Sequence, residues 1–147
     1  MFWDLWHQFK YYMIAGATVL VVIIVLSVIM ITNWMASRDV ILMTDIKRVS
    51  YGLEQFYEQH HSYPQGQGQG SGSGVDLTKQ VTISDAGFGS ADGTVYYQGE
   101  VTNGNASYQS DGQNYTISFK LRRKWSDLGA TGRKCTVTQG YVVACGK

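Results

Sequence analysis

Residues 13–32 read MIAGATVLVVIIVLSVIMIT, a run without a charge, interrupted only by Gly16, Thr18, Ser27 and Thr32. At 1.5 Å of rise per residue, a helix of this length spans roughly 30 Å, the thickness of a bilayer's hydrocarbon core. Trp3, Trp6, Phe9, Tyr11 and Tyr12 precede the run and Trp34 follows it, as expected for rings that settle at the two membrane interfaces. The pattern predicts an aromatic interfacial segment over 1–12 and a transmembrane helix over 13–32. A cleaved signal peptide would show a shorter apolar region, a basic start and a small-residue exit. Here Lys10 is the only Lys or Arg before the run, and the exit reads Asn33-Trp34-Met35-Ala36.

Beyond the run the period changes. Leu42, Ile46, Val49, Leu53 and Phe56 recur at steps of four, three, four and three, one apolar stripe along a helix. Charged residues fall mostly off that stripe. No proline occurs before Pro64, so the amphipathic segment 33–64 continues the membrane helix, from about Lys10 to about His60 and on the order of 75 Å long. Ile41, Leu42, Ile46, Val49, Leu53 and Phe56 form the candidate packing interface. Val49, Leu53 and Phe56 are expected under the domain's own sheet. Ile41 and Leu42, nearer the bilayer, are expected to have less sheet over them and to pack on helices of neighbouring subunits.

Residues 65–74, QGQGQGSGSG, read as a flexible connector. Their alternating glycines do not make a phosphate loop, because no lysine-serine pair follows and no buried strand precedes. Past the connector the period becomes two. Tyr115, Ile117, Phe119 and Leu121 alternate with Thr116, Ser118, Lys120 and Arg122, giving a strand with one buried face. Asp111-Gly112 is a hairpin turn that pairs this strand with the segment around Tyr108. Residues 94–100 and the two arms around Gly140 are further strands. The expected fold is α+β: a long N-terminal helix, transmembrane in its first half, packed under a small antiparallel β-sheet formed by 75–147.

The two cysteines, Cys135 and Cys145, flank Gly140, and a hairpin turning there brings the thiols together as a disulfide. A zinc site would need about four ligands, and no nearby histidine supplies the rest. Basic residues barely differ between the two sides of the apolar run, so the positive-inside rule does not orient it. The cysteine pair does: it places the N-terminus in the cytoplasm and the C-terminal domain in an oxidising periplasmic or extracellular space.

The segments YGLEQFYEQHHSYP (51–64) and SYQSDGQNYTISFKL (107–121) resemble type IV pilins and type II secretion pseudopilins. In those proteins an apolar helix ends in an aromatic-rich stretch that breaks at Tyr-Pro, and a tyrosine-rich hairpin follows. A late cysteine pair is also common among pilins. The resemblance implies a membrane-anchored structural subunit with other pilin-like subunits as partners, in an oligomeric assembly. One feature departs from the family. Pilin precursors place a basic leader and a glycine directly before the apolar run, and a glutamate shortly inside it. Here Gly16 lies within the run and Val21 stands at the glutamate's place. The intact chain is therefore expected to begin at or near Met1 and to remain embedded.

Little in the sequence points to catalysis. No Ser/His/carboxylate set or nucleophile elbow stands out, and neither an enzyme activity nor a small-molecule substrate is expected. His60 and His61 are adjacent, which is not chelating spacing, and complement the helix dipole. Asp85, Asp92 and Asp111 in glycine-rich loops offer oxygens for calcium, without EF-hand spacing; no other cofactor is indicated. Asn105 and Asn114 head short glycosylation patterns.

Charge is polarised. Residues 120–147 hold seven Lys or Arg against Asp127, a net of +6, whereas 75–119 carry a net of −4. Lys120, Arg122, Lys124, Arg133 and Lys134 form a candidate patch for an anionic partner. Alternatively, such lysines guard an edge strand. A DNA-capturing minor pilin is the subsidiary reading, without an aromatic stacking platform in its favour. The rival function is a membrane-tethered module that binds a surface carbohydrate or DNA.

Overall fold

The computed structural model describes residues 2–66, 74–125 and 131–146, with side chains from Met13 onward except those of residues 14 and 15. Most of the connector, Asp127 and Lys147 lie outside the described residues, as do the side chains of the aromatic segment 1–12. One helix, α1 (Phe2–His60), is followed by β1 (Val75–Asp76), β2 (Val81–Ser84), β3 (Gly87–Phe88), β4 (Val95–Gly99), β5 (Ala106–Ser110), β6 (Tyr115–Lys120), β7 (Lys134–Thr138) and β8 (Val142–Gly146). The fold is α+β. The chain divides into two compact units, 1–35 and 36–147.

In the first unit the apolar side chains are exposed, Val19 to Ile31 all near half or more. By length and composition α1 can cross a membrane. Its hydroxyls suit that solvent. Ser27 Oγ donates to the Ile23 carbonyl at 2.8 Å and Thr32 Oγ1 to the Val28 carbonyl at 3.0 Å, so neither leaves a polar atom unsatisfied in hydrocarbon.

The second unit is built on one face of the helix. Leu42, Ile46, Val49 and Leu53 are fully buried and Phe56 nearly so. They share a core with Tyr108, Tyr115, Ile117, Phe119, Leu121 and Val137 from the sheet β1-β5-β6-β7-β8, and with Val81, Ile83 and Phe88 from the smaller sheet β3-β2-β4. All pairings are antiparallel. The period-two strand behaves as expected: Tyr115, Ile117 and Phe119 point into the core, Ser118 and Lys120 outward. Its hairpin partner is β5, with Tyr108 opposite Ile117 and Gly112 in the turn at φ 89°.

The smaller sheet extends beyond the expected strands, since only β4 in it was legible. The expectation for Leu42 is overturned. It has no exposed surface, because Gly104, in the loop between β4 and β5, lies against its methyl groups. A Cβ at Gly104 would come within 2.7 Å of Leu42 Cδ2. The sheet therefore covers the helix further toward the apolar run than the stripe alone implies, and a lysine at Leu42 would bury an unpaired charge. Ile41, 43% exposed, stays uncovered.

Helix and strand approach closely at Gly52. A Cβ there would lie 2.8 Å from Tyr97 Cβ and 3.1 Å from the Tyr96 carbonyl oxygen, atoms that cannot swing aside. Alanine would gain about 1 kcal/mol in helix propensity, but overpacking against backbone costs about 1–3 kcal/mol. Gly52→Ala should lower the domain's melting temperature by several degrees. Gly16→Ala, with nothing within 4 Å of the new Cβ, should not. A melting temperature unchanged or raised by Gly52→Ala would show that β4 does not press on the helix.

Candidate functional site

What positions the exposed surfaces of this domain is a set of carboxylates that tie loops of the two sheets to α1 and to one another. Asp39, fully buried, accepts the backbone N–H groups of Arg122 at 2.8 Å and Arg123 at 3.0 Å, and the Trp125 indole N–H at 3.3 Å. Hydrogen bonds to a charged acceptor are the strong kind. Asp45 takes the Thr102 N–H at 3.0 Å and its hydroxyl at 2.7 Å. Glu54 takes the Tyr63 hydroxyl at 2.9 Å, the Tyr115 hydroxyl at 3.2 Å and the Gly140 N–H at 3.0 Å. Burial pushes the Tyr115 phenol up to about 12 and raises that of Tyr63 as well, with the Glu54 charge adding to both. Both therefore stay protonated and remain donors.

The end of the helix is held in the same way. His61 adopts a left-handed φ of 53° and its N–H returns to the Tyr57 carbonyl, closing the last turn. His60 does more than complement the dipole: its ring stacks on Phe56 and its Nε2 lies 3.1 Å from Asp85 Oδ1. Asp85 also accepts the Thr94 N–H at 2.6 Å and the Tyr96 hydroxyl at 2.5 Å.

These ties bury one side of the helix and leave the other open. Val40, Ile41 and Tyr51 are 43–66% exposed, with Thr44, Lys47 and Arg48 exposed between them. Of the six candidate packing residues, Leu42, Ile46, Val49, Leu53 and Phe56 face the domain's own core, and Ile41 alone lies on the open side. The basic candidates do converge. Lys120, Lys124, Arg133 and Lys134 line one concavity of about 340 Å³ with Thr131 and Gly132. Arg122 sits beside it, its carbonyl accepting from Arg133 Nη1 at 3.3 Å.

The aspartates proposed for calcium are spent locally. Asp85 is tied as above, Asp92 accepts the Ser90 hydroxyl, and Asp111 accepts the N–H groups of Gln113 at 2.9 Å and Asn114 at 2.6 Å. Among the described residues no three His, Cys, Asp or Glu side chains gather as a cation site. Cys135 and Cys145 are disulfide-bonded, directly opposite each other across β7 and β8 with Cα atoms 4.1 Å apart. Gly140 turns between those strands at φ 67°. Asn105 and Asn114 are exposed.

Sequence reasoning missed Asp39, Asp45 and Glu54. One signal was present: Asp39 precedes Leu42 by three residues and so continues the apolar stripe in phase. An acidic residue on a buried face marks a place where backbone N–H groups must meet it. Asp39→Ala would leave two part-buried N–H groups without their acceptor, at a cost of about 1–3 kcal/mol. Hydrogen exchange should then quicken at Arg122 and Arg123 before the core strands; uniform loosening instead would refute a local tie.

Asp85 gives a pH dependence. The Tyr96 hydroxyl, the Thr94 N–H and His60 together hold its carboxyl well below the ordinary value of 3.8. A lowered carboxyl stabilises the fold above its unfolded value and loses that contribution as pH falls through the folded one. Stability should therefore decline below about pH 4, and Asp85→Asn should flatten that limb of a melting-temperature profile. A parallel curve for the variant would contradict this. Compared with known proteins, the chain matches no family model, no curated protein and no solved structure.

Proposed function

We propose that this chain is a membrane-anchored structural subunit of a type IV pilus or pseudopilus-like assembly, working through helix packing and domain contacts. The observation that carries the reading is the two-sided character of α1 beyond the apolar run. One face is sealed under the domain's own sheets, while Val40, Ile41 and Tyr51 present apolar surface on the other. In a lone tethered domain that surface gains nothing; between neighbouring subunits it is buried. The apolar run supports a single-pass anchor. The Cys135–Cys145 bond supports a C-terminal domain in the periplasm or outside the cell, with the N-terminus cytoplasmic, because such bonds persist in oxidising compartments.

The native cysteines are both bonded, so Val40→Cys introduces one reactive thiol on the open face. In native membranes this variant should crosslink to neighbouring pilin-like subunits. Adding Ile41→Lys should abolish the crosslinks and leave the melting temperature unchanged, since Ile41 lies outside the core. Undiminished crosslinking in the double variant would rule out helix packing through this face. Recovery of a lone monomer with a bound carbohydrate or DNA would support the tethered binding module instead.

A further inference from the structure

The domain carries opposite charge at two separate places. Lys120 and Lys134 are directly paired residues of β6 and β7, both exposed, and like charges directly opposite on adjacent strands destabilise a sheet. Lys124 and Arg133 line the same concavity, and no acidic residue lines it among the described residues. Asp76, on β1 two strands from β6, is engaged by the N–H and hydroxyl of Thr78. Four cations gathered in this way are stabilised by carboxylates brought from another molecule.

The same chain supplies such carboxylates. Asp85 meets His60 at the last turn of α1. Gly93 lies against the Asp85 carboxylate, which sets the exposed Asp92 close by. The turn holding the exposed Asp111 meets the chain just past the helix, where the Gly112 carbonyl accepts the Tyr63 N–H at 2.8 Å. Glu58 is exposed on the last helical turn. Hydrogen bonds from Tyr96 to Asp85 and from the Asn114 N–H to Asp111 hold both carboxyls below their usual value, so both stay charged.

The two charges are fixed far apart. The basic stretch after β6 is tied to Asp39 through the Arg122 and Arg123 N–H groups, and the acidic loops gather at His60. These helix positions are twenty-one residues apart, about 31 Å. Both belong to the compact unit 36–147, so the separation is a property of the domain itself.

We infer that the concavity of Lys120, Lys124, Arg133 and Lys134 receives the acidic loops of a second copy of this chain, around Asp85 and Asp92. Such a contact joins unlike patches at opposite ends of the domain. A copy that gives its acidic end to one neighbour keeps its basic concavity open for the next, so association propagates instead of closing. The inference rests on the assembly proposed above and names its partner and direction, without using the open helix face.

The test is zero-length carbodiimide coupling of the full chain in native membranes, with the amide links read by mass spectrometry. Lys124 or Lys134 should join Glu58 or Asp92. Within one copy those ends are about 31 Å apart, so each such link joins two copies. The coupled bands should climb past the dimer as a ladder, and high salt should reduce them. Lys120→Glu with Lys134→Glu, which keeps a like-charge pair in the sheet, should cut the yield about fivefold or more. Adding Glu58→Lys and Asp92→Lys to that variant should restore coupling between the ends, an outcome that damage to the fold cannot produce. No end-to-end links in the unaltered chain, a ladder that stops at the dimer, or loss without restoration would each overturn the inference. So would shielding of the concavity's lysines by duplex DNA with no carboxylate coupled. Helix-face crosslinks from Val40→Cys without end-to-end links would overturn this contact alone. End-to-end links without helix-face crosslinks would support it and remove helix packing instead.

Discussion

The domain depends on carboxylates of one helix satisfying the backbone N–H groups of loops that belong to its sheet. Asp39 holds the turn after β6, Asp45 the loop after β4, and Glu54 the turn between β7 and β8. Each carboxylate could have been solvated, and each loop N–H could have bonded to water. Joined, they fix where the sheet sits along the helix. Apolar packing alone could not do this, because a stripe of Leu, Ile and Val tolerates sliding by a turn whereas hydrogen-bond geometry does not.

The same constraint determines what the domain exposes. With one helix face sealed, Val40, Ile41 and Tyr51 are left on the other, and the basic chain after β6 is held at the level of Asp39. Two surfaces of different chemistry thus arise from one set of ties. The open helix face presents Val40, Ile41 and Tyr51 with Thr44, Lys47 and Arg48 interspersed. The concavity at Lys120 and Lys134 is cationic. The titratable groups with shifted values, such as Asp85 and Tyr115, are engaged in holding loops.

The parts of this molecule with a strong period were legible in the sequence. The uncharged run, the four-three stripe, the alternation from Tyr115 to Leu121 and the turns at Gly112 and Gly140 each have a single structural solution. The short strands β2 and β3 were not legible. Four and two residues long, they have too few positions to establish a period, and what makes them strands is pairing with each other and with β4. The reach of the sheet along the helix was hidden for a related reason. It depends on Gly104 admitting Leu42 and on Thr102 meeting Asp45, contacts 62 and 57 residues apart in sequence. Of the site, the basic residues could be read as a charge excess, but their convergence on one concavity follows from β6–β7 register.

If α1 is the proposed anchor, placing the polar ties on the helix has a mechanical consequence. A pull transmitted along α1 meets first the Asp39 bonds to Arg122 and Arg123, then Leu42 of the core, then the Asp45 bonds, and after them Ile46, Val49 and Leu53. The disulfide closes β7 onto β8, and Glu54 ties the turn of that hairpin to the helix. Asp39 is therefore the point at which force along the helix and order in the basic segment are coupled. Breaking its two bonds frees the backbone of Arg122 and Arg123 while the remaining core still holds.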